Sequence, residues 1–106
     1  MGLFDFLKGK NINEGINQYR DTPGAVLVDV REREEYARGH IPGSKNVPLS
    51  QLQEITKVVS DASTPVFLYC LSGGRSGQAV SHLVRMGYTS VTNIGGISGY
   101  SGNLER

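Results

Sequence analysis

Val66-Phe67-Leu68-Tyr69-Cys70-Leu71-Ser72-Gly73-Gly74-Arg75-Ser76 decides the fold of this chain. Val66 to Tyr69 is a continuous apolar run, and continuity without alternation predicts a strand buried on both faces, as in a parallel sheet. From Ser76 the pattern changes period. Ala79, Val80, Leu83 and Val84 fall on one helical face as far as Met86, and Gly87 stands where a helix would end. The segment therefore reads as strand, tight loop, helix, with the loop at the carboxyl edge of the sheet, where open α/β sheets bind ligands.

Working outward, Ala25 to Val30 reads as a second buried strand and Ser90 to Ile94 as a third. Helices are predicted at Ile12 to Tyr19, at Arg31 to Arg38, and after Ser50. In the last of these, Leu52, Ile55, Val58 and Val59 share a face, and Ser50-Gln51-Leu52-Gln53 reads as a capping box. This alternation predicts an α/β fold: a small open parallel sheet flanked by helices on both faces. One domain, residues 12–106, fits the length, with residues 1–11 as an N-terminal extension whose Leu3, Phe4, Phe6 and Leu7 would pack on the core or between copies. The last segment, from Gly95, is expected to be an ordered turn and a loose tail.

A formal net charge of +1 gives no support for a nucleic-acid partner. No run approaches the roughly 20 apolar residues of a membrane span, and the N-terminus lacks a basic leader and a cleavage site. With one cysteine there is no internal disulfide, and with only His40 and His82 besides it, no metal site and no cofactor are expected. The free thiol fits a reducing, cytoplasmic setting.

The chemistry concentrates at Cys70 to Ser76. Two glycines in a strand-to-helix loop can aim successive N–H groups at one point, making an anion cradle. The helix N-terminus adds partial positive charge and Arg75 a full one. The same field favours thiolate, so the Cys70 pKa is expected to fall below the usual value of about 8.5. From Ala62 to Leu104 there is no carboxylate, which removes the nearest opposing charges in the sequence and leaves residues such as Asp29 to approach through the fold. A lone cysteine at a strand end is ordinarily a small buried hydrophobe. Here the buried strand, the glycine-bearing loop and the cation before a helix start coincide. Asp29 and Arg31, at the end of the first strand, read as a paired turn-fixing couple on the same edge that could support the loop. His40 could be imagined as a base for Cys70, but a turn-stabilising role fits it better. The tyrosines read as core or rim aromatics.

These residues resemble the rhodanese family. Val28-Asp29-Val30-Arg31-Glu32 with Glu34-Glu35-Tyr36, then Gly39-His40-Ile41-Pro42-Gly43-Ser44 and Asn46-Val47-Pro48, is similar to that family's opening signature. Met86-Gly87-Tyr88, Val91 and Gly95-Gly96 resemble its closing segment. The likeness covers about residues 12 to 100. It implies two-step sulfur transfer. A small anionic donor such as thiosulfate, or a persulfide, binds in the cradle, the Cys70 thiolate takes its outer sulfur, and the Cys70 persulfide passes that sulfur to cyanide, a thiol or a protein acceptor. On this resemblance Cys70 is the nucleophile and Arg75 holds the donor. The backbone of Leu71, Ser72, Gly73, Gly74 and Ser76 forms the binding loop. The domain would work as a monomer or weak homodimer. Leu71 stands where many relatives carry a charged or polar residue, leaving the loop one cation, and Tyr100 stands near where relatives often have Trp.

Three rivals remain. A cysteine phosphatase has five residues between Cys and Arg; four separate Cys70 from Arg75, a smaller loop suited to a sulfur atom, so no phosphatase activity is expected. A sulfur carrier or a noncatalytic interaction module would turn over little thiosulfate, and interaction modules typically lose the cysteine that this chain keeps. A redox thiol would need an outside partner, since no second cysteine is present.

Overall fold

The computed structural model describes residues 11–106; the proposed extension at 1–11, apart from Asn11, and its apolar cluster lie outside the described residues. Four parallel strands form one sheet: β1 (Val26–Asp29), β2 (Lys45–Asn46), β3 (Val66–Cys70) and β4 (Val91–Gly96), in the order β2-β1-β3-β4. The α/β class and the parallel sheet agree with the sequence reading.

Why helices must cover both faces follows from the period of two along a strand. In β3, Val66, Leu68 and Cys70 point into one core with Val28, Val30, Leu52, Ile55, Ala79, Leu83 and Tyr88. Phe67 and Tyr69 point into the other with Leu27, Ile41, Ile94, Ile12 and Ile16. Helix α1 (Ile12–Asp21) covers the second face; α4 (Gly74–Arg85) covers the first, together with a 3-10 helix (Leu49–Glu54) and the single turn of α3 (Ile55–Val58). Helix α2 (Arg33–Arg38) lies between β1 and β2 with no buried residue.

Three expectations need correction. The helix read after Ser50 is mostly 3-10, with Gln51 at φ −132° breaking it. The expected capping box does not form: Ser50 Oγ donates to Glu32 instead, and the neighbouring Gln51 Oε1 accepts from Arg33 at 2.7 Å. The short β2, only two residues, carries no readable pattern, yet the Asn46 amide donates to the carbonyls of Asp29 and Arg31 and fixes the end of β1. The tail is also not loose: His40 and Glu105 exchange two backbone hydrogen bonds of 2.8 Å each. Gly87, at φ +103°, ends α4 as expected.

Helix α1 approaches β4 through Gly15, where an added Cβ would overlap the Ile94 side chain. Alanine gains about 1 kcal/mol in helix propensity over glycine, whereas overpacking a closed core costs about 1–3 kcal/mol. Gly15→Ala is expected to lower stability despite the propensity gain, as read from the urea midpoint; an unchanged or higher midpoint would contradict the packing.

Candidate active site

Strand β3 ends at Cys70, and α4 begins four residues later, at Gly74. The turn between them depends on Gly73, which takes φ +107°, a conformation costly for a side-chain-bearing residue. Folded this way, the loop wraps the sulfur. Cys70 Sγ accepts from the Gly73 N–H at 3.0 Å, from the Ser76 N–H at 3.4 Å and from Ser76 Oγ at 3.4 Å. The residue is 1% exposed.

Burial alone would raise the thiol's pKa. Hydrogen bonds from the Ser76 hydroxyl and from the N–H groups of Ser76, Gly73 and Ser72 oppose it, and the net displacement is downward. The direction is the one expected from the loop's N–H groups, with the Ser76 hydroxyl as an added donor. Gly74 and Arg75, the first two residues of α4, keep N–H groups that have no acceptor within the helix. Ser72, Gly73 and Ser76 thus direct donors at one sulfur, while the Leu71 side chain turns outward and is 48% exposed.

Arg75 is not a free cation. Its guanidinium donates to both carboxylate oxygens of Glu35, at 2.7 and 3.0 Å, across the gap from α4 to α2. The Arg75 hydrogen bonds hold the Glu35 carboxyl down to about 2, and Glu35 in turn raises Arg75. The carboxylate-free stretch after Asp61 therefore does not leave the loop unopposed. Asp29 and Arg31 form the turn-fixing couple: Arg31 donates through its backbone N–H, Nε and a terminal amine to the fully buried Asp29 carboxylate, and also to the Gly39 carbonyl at 2.7 Å. His40 stacks on Tyr36 with its Nδ1 2.9 Å from the Tyr36 carbonyl. It forms no hydrogen bond to Cys70.

Two residues of the site carried no role in the sequence. Glu35 sits in the motif-bearing stretch, but nothing local shows that it reaches 40 positions along the chain. Asn93, in β4, donates to the Gly73 carbonyl at 3.0 Å, and its Oδ1 accepts from Ser76 Oγ at 2.7 Å and from the Gly95 N–H at 3.0 Å. It staples the loop to the neighbouring strand. Gly96 lies so close that a Cβ there would overlap the backbone of Leu71 and Ser72.

The rhodanese-like domain model matches residues 13–103, and the chain belongs to that family. Over 71 residues, 66% of this chain and 68% of the relative, it is 44% identical to the thiosulfate sulfurtransferase PspE of Escherichia coli (strain K12). Over 82 residues it is 40% identical to the uncharacterized protein YqhL of Bacillus subtilis (strain 168), with 76% of this chain covered. That match spans 64% of YqhL, just under two thirds of its length. A rhodanese from E. coli solved with anions superposes with a TM-score of 0.72 at 36% identity, over 77% of this chain and 98% of the other.

The Ser76 hydroxyl has one proton and three competing acceptors, the Asn93 amide oxygen, the Gly73 carbonyl and Cys70 Sγ. A thiolate is the stronger acceptor, and a hydrogen bond to a charged group contributes about 1.5–3 kcal/mol, or about one pKa unit or more. Ser76→Ala is therefore expected to move the midpoint of the pH profile for Cys70 alkylation by iodoacetamide upward by about one unit. The wild-type midpoint should lie below that of an unstructured peptide thiol. The sign for folding follows. A depressed thiol pKa contributes stability above the unfolded thiol's pKa that is lost as pH falls through the folded value.

Proposed function

We propose that this protein is a sulfurtransferase that carries sulfane sulfur as a persulfide on Cys70. The observation that carries the reading is the convergence of the Gly73 and Ser76 N–H groups and the Ser76 hydroxyl on one buried sulfur. A cradle of donors around a thiol is suited to an atom that is anionic before reaction and bonded to an anionic sulfur afterward. The name of the relative PspE supports the same chemistry.

In the first half-reaction the Cys70 thiolate attacks the outer sulfur of a donor. With thiosulfate the S–S bond breaks and sulfite leaves with the electron pair; the two charges of the donor and the one of the thiolate are conserved. In the second, an acceptor thiolate or cyanide attacks the terminal sulfur, and Cys70 leaves as thiolate. Leu71 to Ser76 form the loop. Asp29 and Arg31 hold the end of β1 beneath it, and Arg75 fixes the loop through Glu35 as well as adding charge. The chain acts as a monomer or weak homodimer, and its single thiol suits a reducing, cytoplasmic compartment. No described helix is long and apolar enough to cross a membrane.

Exposure to a sulfane donor should add about 32 Da, one sulfur, to the intact protein, removable by dithiothreitol. Cys70→Ser should neither gain this mass nor transfer sulfur to cyanide. Mass addition in Cys70→Ser, or none in the wild type with any donor, would refute the reading.

A further inference from the structure

Of the donors on Cys70, the Ser76 hydroxyl is the one that can turn away, because a backbone N–H is fixed by the chain whereas an O–H rotates. Its proton has Asn93 Oδ1 at 2.7 Å, the Gly73 carbonyl at 3.2 Å and Cys70 Sγ at 3.4 Å within reach. By distance alone the sulfur is the weakest claimant. Where the proton goes when Cys70 ionises therefore decides how far Ser76 helps the thiolate.

Asn93 is placed to govern that choice. Strand β4 slips register against β3 just after it: Asn93 pairs with Leu68 but Gly95 with Tyr69, so Ile94 is an extra residue. A bulge of this kind re-aims the side chains beside it, and here the Asn93 amide reaches the loop that follows β3. Its orientation is unambiguous, since Nδ2 donates to the Gly73 carbonyl at 3.0 Å and Oδ1 accepts from the Gly95 N–H at 3.0 Å. A reversed amide would set oxygen against oxygen and N–H against N–H.

A carbonyl oxygen has two lone pairs. Those of Gly73 are taken by Asn93 Nδ2 and by the Gly77 N–H at 3.0 Å, which leaves that carbonyl little capacity for the Ser76 proton. Asn93 Oδ1, in turn, keeps the Gly95 N–H when the hydroxyl leaves it. The hydroxyl can thus swing to an ionised sulfur without stranding a buried acceptor. We propose that Asn93 is a positioning residue of the sulfur-transfer reaction, directing the Ser76 hydroxyl to the Cys70 thiolate by occupying the rival Gly73 carbonyl and holding the hydroxyl releasably until the sulfur ionises. The inference rests on the sulfur-transfer reading above, and Asn93 acts only through Ser76 and Gly73. No covalent bond changes: the hydroxyl keeps its proton and the O–H rotates. Without Asn93, the Gly73 carbonyl regains a lone pair 3.2 Å from Ser76 Oγ and takes the hydrogen bond that the sulfur needs.

The pH profile of Cys70 alkylation tests this. The charged groups around the sulfur, Arg75 paired with Glu35 and Asp29 paired with Arg31, are retained in every variant. Asn93→Ala should raise the midpoint by about half a unit or more, the direction expected for Ser76→Ala. The double variant should lie within about 0.3 unit of Ser76→Ala alone, because both changes remove the same hydrogen bond. Below both midpoints Asn93→Ala should load sulfur from thiosulfate about threefold or more slowly, and the deficit should close above them; a merely structural loss would persist at every pH. The wild type supplies a readout that needs no change at Asn93. Its Asn93 side-chain amide NMR signals should titrate with Cys70 as the hydroxyl turns away, and should lose most of that titration in Ser76→Ala. A midpoint unmoved or lowered by Asn93→Ala, additive shifts in the double variant, or an amide that titrates equally in Ser76→Ala would overturn the inference while leaving sulfur transfer intact. Failure of Cys70 to take sulfur from any donor would instead defeat the underlying reading, and a role for Asn93 in that reaction with it.

Discussion

Placing a cysteine sulfur among hydrogen-bond donors where almost no water reaches is the constraint around which this structure is arranged. A buried charge without partners is costly, and burial by itself would keep Cys70 protonated. Strand β3 delivers the sulfur to the carboxyl edge of the sheet, and the turn at Gly73 brings the chain back so that its own N–H groups meet that sulfur. The donors come from within six residues of the cysteine, yet their aim depends on parts far away in sequence. Asn93 fixes the Gly73 carbonyl from β4, and Gly96 allows the next strand to press against the loop.

Around this centre the ion pairs act as scaffolding. Asp29 and Arg31 are both buried, and such a pair returns little net stability for the cost of dehydrating it. What it contributes is geometry: the couple locks the turn after β1 to the Gly39 carbonyl and hence to the segment leading into β2. Glu35 and Arg75 are more exposed, and water weakens their attraction, but their two-point contact joins α2 to the first turn of α4. The loop is therefore held from two sides, by Asn93 on one and Glu35 on the other.

Much of this was legible in the sequence, for identifiable reasons. Uninterrupted apolar runs marked β1 and β3 because both faces of those strands are covered. Ala79 and Leu83 with Gly87 marked α4, since helix period and a terminating glycine are local signals. The loop was legible for the same reason: its donors, glycines and cysteine are consecutive. What escaped is what depends on tertiary partners. Ser50 looked like a cap until Glu32 claimed it, and two-residue β2 is too short to show a period. The pairing of Glu105 with His40 and of Glu35 with Arg75 joins segments with no shared local pattern.

The pairing of Arg75 changes the physical character of the site as well as its architecture. A free guanidinium would bind whatever anion came near, and would bind it most tightly when most highly charged. Backbone dipoles behave differently, because their field is short-ranged and points to a place rather than to a total charge. In the proposed reaction the negative charge moves outward by one S–S bond, about 2.05 Å, when thiolate becomes persulfide. Gly73 and Ser76 donate to the inner position, and the first turn of α4 begins beside it at Gly74. A loop built in this way can hold either form of the cysteine without rearranging, and that similarity of the two resting states is what a sulfur carrier needs if it is to load and unload with comparable ease.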